Sequence, residues 1–125
     1  MTDFDLLVFG GGTGNTVASA AAKEGMDTAL IEKGPLGGTC LNRGCNPSKM
    51  LIQHATVHNQ IRNADEFGIE ATIENIEFSE FVQDVNQTLA GLADQKADNK
   101  RAETNLTLIQ QEAKFIDENT VRVEN

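Results

Sequence analysis

Residues 37–49 read GGTCLNRGCNPSK and hold the only two cysteines of the 125-residue chain, Cys40 and Cys45. Such a pair can ligate a metal, clip the fold, or act as a redox dithiol. Zinc takes about four ligands, and the chain offers two thiols. His54 and His58 stand i, i+4, but no glutamate completes an H-E-x-x-H pattern, and His54 falls on an apolar stripe. Both therefore read as packing or surface residues, and no metal site is expected. A disulfide closing so short a loop stabilises little, because the effect grows with loop length. A reversible dithiol fits best. A helix start beside the pair favours the thiolate, which is the reactive form, and closeness makes the disulfide easy to form and break.

A second group of residues suits phosphate chemistry. The stretch DLLVFGGGTGN places Gly10 and Gly12 at the first two positions of a G-x-G-x-x-G fingerprint. Asn15 takes the third position, with Gly14 beside it. A glycine turn between strand and helix lets the backbone approach a pyrophosphate, and the helix N-terminus adds free N–H groups and a partial positive charge. Glu32 stands 22 residues after Gly10, where an acid receives ribose hydroxyls. The fingerprint alone does not separate FAD from NAD.

These residues need elements to hold them. Residues 5–9, DLLVF, read as a buried strand, 10–15 as a turn, and 16–24, TVASAAAKE, as a helix of small residues. Gly25 offers a C-cap, with Met26 as its apolar partner. Residues 27–32 give a second strand, completing a unit of βαβ size. Residues 33–47 are rich in Gly and Pro and read as loop. A helix is expected from Ser48 to about Ala64, with Met50, His54, Val57 and Ile61 on one face. Ser79 looks like the N-cap of a long helix with the stripe Phe78, Val82, Val85, Leu89 and Leu92. Past Ala93 the stripe fades into a charged end. Short strands are expected at 106–110, 112–116 and 120–124, with the turn DEN between the last two.

The bulk composition narrows the function classes. The net charge is −9, with 19 acids against 10 bases, which argues against nucleic acid or an anionic membrane as partner. There is no Trp or Tyr to stack single-stranded bases. The acidity fits a high-salt cytoplasm or simply a solvated acidic surface. Acid precedes the first apolar run, the reverse of a signal peptide, and no run reaches membrane-spanning length. A cytoplasmic location is expected, where a cysteine pair is more often catalytic or metal-binding than structural.

The segment GGTCLNRGCNPSK resembles the active-site motif of the FAD-dependent pyridine nucleotide–disulfide oxidoreductases. That family includes dihydrolipoamide dehydrogenase, glutathione reductase, mercuric reductase and mycothione reductase. The match covers Gly37, Gly38, Thr39, Cys40, Asn42, Gly44, Cys45, Pro47 and Lys49. DLLVFGGGTGN resembles the family's N-terminal FAD motif, and EAKFIDENTVRV is similar to its return toward the adenine. GTGN, PSKMLIQHA and IRNADEFGIEA look most like the mycothione reductase branch, or the low-molecular-weight thiol-disulfide reductases of salt-loving archaea.

The resemblance implies an α/β fold: a Rossmann-like FAD-binding domain with a parallel sheet, helices and a small β-hairpin or meander. It implies catalytic roles for Cys40, as the interchange thiol attacking the substrate disulfide, and for Cys45, as the flavin-facing charge-transfer thiol. Lys49 would lie near flavin N5. Gly10, Gly12, Gly14 and Asn15 would surround the pyrophosphate, and Glu32 would hold the ribose. Lys33, Gly38, Thr39 and Ala113 would complete the FAD contacts. Electrons would pass from NADH or NADPH through FAD to the dithiol and on to a small-molecule disulfide or lipoamide-type substrate. Two positions depart from the family pattern. Arg43 replaces the usual Val and is either a modulator of the cysteines or a solvated residue. Asn46 replaces the usual Ile or Val.

Residues 1–125 show no second nucleotide fingerprint and no late histidine for an acid/base pair. The chain is expected to be the incomplete N-terminal part of the FAD-binding domain, without the NAD(P)-binding and dimerisation domains of a homodimeric enzyme. The alternative is a truncated nucleotide- or thiol-binding module without turnover.

Overall fold

The computed structural model describes residues 1–124. Strands β1 (Leu6–Phe9), β2 (Thr28–Ile31) and β3 (Leu106–Ile109) form a parallel sheet in the order β1-β2-β3. The middle strand, β2, is buried at every residue because it has neighbours on both sides. Strands β4 (Glu112–Phe115) and β5 (Val121–Glu124) pair antiparallel as a hairpin. Asp117 closes its turn by accepting the amide of Asn119 at 2.9 Å. This is the expected α/β arrangement, with each strand slightly shorter than the sequence pattern suggested.

Helix α1 (Gly14–Lys23) joins β1 to β2. Its buried positions, Ala18 and Ala22, are small and one turn apart, so it lies close on the sheet. Its end follows the pattern read from Gly25 and Met26. Gly25 takes φ +90°, its amide reaches Ala22 O at 3.0 Å, and the Met26 amide reaches Ala21 O at 3.1 Å. Both orphan carbonyls are thereby satisfied, as in a Schellman cap.

One core lies between the sheet, α1 and the end of α4 (Phe78–Arg101). It gathers Ala18, Ala22, Leu30, Leu36, Ala97 and Leu106, with Val8 and Leu108 at its margin. Leu30 and Leu36 are fully buried, and truncating such a leucine to alanine costs about 2–5 kcal/mol. A second cluster, Leu41, Val85, Leu89 and Ala93, binds α4 to α2 (Gly38–Arg43), with Met50 of α3 (Cys45–Arg62) beside it. A short 3-10 turn, Ala64–Phe67, follows α3.

The helices differ from the sequence reading at several points. Residues 38–43 form α2 rather than loop, and α3 begins at Cys45 rather than Ser48. Pro47 is tolerated because the first turn of a helix needs no amide from it. Ser79 does not cap α4: the N-cap is Glu77, and no side chain bonds to the helix start. The far end of α4 stays helical through Arg101. Its buried row is Val85, Leu89, Ala93 and Ala97, so alanines carry the contact where larger apolar residues run out. Leu92 and Phe78, which the pattern had placed on the stripe, are exposed.

A polar clamp secures the same end of α4. Lys100 Nζ donates to Ser19 Oγ of α1 and to Glu103 Oε1, and Ser19 Oγ donates to Glu103 Oε2. Burial pushes the Glu103 carboxyl up, but the hydrogen bonds from Lys100 and Ser19 together outweigh it and hold it below its ordinary value of 4.5.

Candidate functional site

The turn after β1 is made of backbone. Gly10 has φ +94° and its amide bonds Ile31 O at 2.8 Å. Gly11 is buried, and its amide donates to Glu32 Oε2 at 2.7 Å. The Gly34 amide donates to Glu32 Oε1 at 2.8 Å. Glu32 therefore ties the turn after β1 to the loop after β2. Each carboxylate oxygen accepts one of these bonds and keeps a further lone pair.

Gly14 opens α1 against β1. A Cβ there would stand 2.9 Å from Val8 Cγ1 and 3.3 Å from Phe9 O. The close helix–strand contact given to the third fingerprint glycine is thus made by Gly14, which leaves position 15 free to carry asparagine. The Gly37 amide bonds Gly11 O at 3.0 Å, bringing the cysteine segment onto the turn. Gly38, at φ +66°, then faces Gly12: a Cβ on Gly38 would lie 2.7 Å from Gly12 Cα.

Asn42 fixes the start of α2. Its Nδ2 donates to the carbonyls of Pro35 at 3.1 Å, Leu36 at 3.3 Å and Gly38 at 3.0 Å. Asn42 belongs to the GGTCLNRGCNPSK motif, and its role there is structural. Its sequence signal is an amide beside a Gly-rich stretch of unpaired carbonyls. Gly44 lets α3 start against α2, since a Cβ there would come within 2.9 Å of Thr39 O and 3.3 Å of Cys40 Cα.

Cys40 of α2 and Cys45, the first residue of α3, are joined by a disulfide with a Cα–Cα distance of 4.7 Å. Both are exposed. Cys45 stands in the first turn of α3, where the helix dipole favours negative charge. Ser48 Oγ lies 2.8 Å from Gly44 O and 3.0 Å from Cys45 O, and it steadies that turn.

Gly10, Gly12, Gly14, Asn15, Glu32, Gly38 and Thr39 thus gather around one corner, with Cys40 next in the chain to Thr39. Lys33 and Ala113 lie toward the hairpin. Lys33 meets Glu112 of β4 at 3.8 Å, and Ala113 pairs with Val123 across the hairpin. Lys49 is exposed on the second turn of α3.

The corner suits a dinucleotide cofactor. At Gly12 and Gly38 two backbones meet with no side chain between them. Among the described residues, the amides of Gly12, Thr13 and Gly14 have no partner at the start of α1. Asn15 Oδ1 is buried without a hydrogen bond. Free amides at a helix start, reached without steric obstruction, are what a pyrophosphate requires.

His54 packs against Phe81 at 4.4 Å and Phe78 at 5.5 Å between ring centroids, in the packing role read from its stripe. His54 and His58 line a groove between α3 and residues 73–81. Among the described residues, no group of three or more His, Cys, Asp or Glu could hold a metal ion. No helix there is long and apolar enough to cross a membrane.

The family model described as pyridine nucleotide-disulphide oxidoreductase matches residues 4–125. A dihydrolipoyl dehydrogenase of Bacillus subtilis (strain 168) is 46% identical over 83 residues, covering 66% of this chain and 18% of that protein. One from Haloferax volcanii is 40% identical over 126 residues, covering 98% of this chain and 26% of that protein. Among solved structures, the Cu(II) complex of the HOCl-induced flavoprotein disulfide reductase RclA from Escherichia coli superposes with a TM-score of 0.75 at 30% identity. It covers 95% of this chain and 24% of that one. The chain thus spans about a fifth to a quarter of the length of these relatives.

Proposed function

The chain belongs to the pyridine nucleotide–disulphide oxidoreductase family, enzymes that bind FAD and use NAD(P)H, and from that premise we propose that residues 1–125 are the N-terminal part of the FAD-binding domain of a disulfide reductase. The observation that carries this reading is the Gly12–Gly38 contact. It sets the phosphate turn and the start of the cysteine helix against each other, so cofactor and dithiol share one corner.

In this reading the free amides at the start of α1 hold the pyrophosphate, with Gly10, Gly12, Gly14 and Asn15 shaping the turn. Glu32 accepts the ribose hydroxyls on its remaining lone pairs. Lys33, Gly38, Thr39, Lys49 and Ala113 complete the contacts. Bound FAD supplies the relay that carries two electrons from NAD(P)H to the Cys40–Cys45 disulfide. The chain's own chemistry is thiol–disulfide exchange. The Cys40 thiolate attacks one sulfur of R–S–S–R, a Cys40–S–R bond forms, and RS⁻ leaves. The Cys45 thiolate then attacks the Cys40 sulfur, re-forming the Cys40–Cys45 disulfide and releasing the second RS⁻. Two electrons pass from dithiol to substrate, and both RS⁻ groups take protons from the acid/base of the site or from water.

The nicotinamide site and that acid/base come from outside residues 1–125 in this proposal, in a homodimeric cytoplasmic enzyme acting on a low-molecular-weight or lipoamide-type disulfide. Residues 1–125 alone would then not sustain turnover.

Substitution and labelling of the full-length protein test the assignment. Cys40→Ser and Cys45→Ser should each leave less than ~0.1% of disulfide reduction, the scale of loss when a covalent nucleophile is removed. In the reduced enzyme, iodoacetamide should label Cys40 faster than Cys45; the opposite order would reverse their roles. A colourless protein that binds NAD at the glycine turn would overturn the cofactor assignment.

A further inference from the structure

Charge is distributed unevenly around the redox pair. From Lys33 to Ala64 the chain has no Asp or Glu, yet it carries Lys33, Arg43, Lys49 and Arg62. The rest of the chain sets six bases against 19 acids. An acidic protein therefore offers its disulfide on an acid-free, cationic segment.

Arg43 stands three residues after Cys40 within α2, and Lys49 four after Cys45 within α3. Residues at these spacings are neighbours on one helix face. Cys40, Arg43, Cys45 and Lys49 are all exposed. Among the described residues, the salt bridges engage Lys33, Lys100, Arg101 and Lys114, and no carboxylate pairs with Arg43. A free guanidinium thus shares a helix face with the sulfur assigned to attack the substrate. Its planar fork matches a carboxylate through two parallel hydrogen bonds. An arginine in the last turn also suits the helix dipole, but that role would be indifferent to the charge of an incoming disulfide.

We infer that Arg43 is a specificity residue that draws an anionic, carboxylate-bearing low-molecular-weight disulfide to Cys40 and holds its carboxylate during exchange. The inference rests on the disulfide-reductase reading above. It sets the substrate apart from a neutral lipoamide, which would gain nothing from the guanidinium.

The test uses the full-length FAD holoenzyme with its dithiol reduced. It is mixed at low salt with dithiodipropionate (dianionic), bis(2-hydroxyethyl) disulfide (neutral) and cystamine (dicationic). Arg43→Gln should slow exchange with dithiodipropionate about 10-fold, leave the neutral disulfide within about 2-fold, and speed cystamine. Arg43→Lys should keep most of the preference. Arg62→Gln, which removes the same charge from the far end of α3, should leave it unchanged. High salt should shrink the contrast. A readout independent of turnover is the alkylation of Cys40 by iodoacetate relative to iodoacetamide, a ratio that should fall in Arg43→Gln. Equal loss toward all three disulfides would overturn the inference, because Arg43 would then act on the thiol itself. An unchanged ratio would overturn it too, as a solvated charge. A wild-type enzyme that reduces no disulfide would remove the reductase reading along with it, whereas reduction without charge preference would remove this inference alone.

Discussion

Where Gly12 meets Gly38, two stretches of backbone touch with no side chain between them. Between α3 and residues 73–81, by contrast, Met50, His54, Val57, Ile61, Ile76 and Phe81 line a cleft of about 500 Å³. None of the α3 residues is fully buried, and Val57 is 44% exposed. The corner owes its shape to missing atoms and the groove to present ones. One added methyl should therefore matter greatly at the corner, while several lost methyls should matter little in the groove.

The sharpest way to break this contrast is Gly38→Val. The residue sits at φ +66°, and its Cβ would meet Gly12 Cα at 2.7 Å, a backbone atom that has no rotamer to escape into. Strain and overpacking together should cost about 2–5 kcal/mol. FAD retention by the full-length protein should fall with it. Thermal unfolding and cofactor release both report the loss, and a near-native Tm with FAD retained would show that the corner yields.

Glu32 should give the next largest effect, with a chemical signature. Glu32→Ala strands the buried Gly11 amide and should cost about 1–3 kcal/mol of stability, with a comparable loss in FAD affinity. Glu32→Gln keeps one acceptor but turns an N–H₂ toward either Gly11 or Gly34, so it should fall between wild type and alanine. Denaturant unfolding and FAD titration separate the two losses. Stability unchanged in Glu32→Ala would mean that the carboxylate does not hold the turn.

In the groove, Val57→Ala should cost under about 1 kcal/mol, because water already reaches much of the side chain. A cost of several kcal/mol in the full-length protein would mean that the groove is a packed interior there, and the contrast would vanish.

The smallest effect concerns acid. Glu103 is held below its ordinary 4.5 in the fold, so its contribution is present at neutral pH and is lost as pH falls through and below about 4.5. For a clamp this close to the surface, the contribution is about 1 kcal/mol or less. Glu103→Gln should flatten that acid limb of the stability curve, as followed by urea unfolding between neutral pH and acid.

Much of this architecture is legible along the chain because its signals are local. The period of DLLVF and DTALIE marks strands, the small residues after Gly14 mark a helix, and Gly25–Met26 mark its end. These depend on neighbours a few residues apart. The cysteine pair and its motif are equally local. Helix α2 was not legible, because its glycines read as loop until Asn42 is seen to bind three carbonyls. The end of α4 was also missed. Its alanines look like a fading stripe until α1 and the sheet supply a surface near enough for small side chains to fill.

By itself the sequence determined which residues can do chemistry here: two thiols, an acid, a glycine turn and a cationic stretch without carboxylates. Only the tertiary structure decided what several of them do. Gly14 rather than residue 15 packs helix on strand, Glu32 staples two loops, and Gly38 abuts Gly12 from 26 positions away in the chain. The physical reason is that a glycine's role lies in what faces it. A missing side chain leaves no pattern along the chain, and the contact it permits exists only once the two backbones have been brought together.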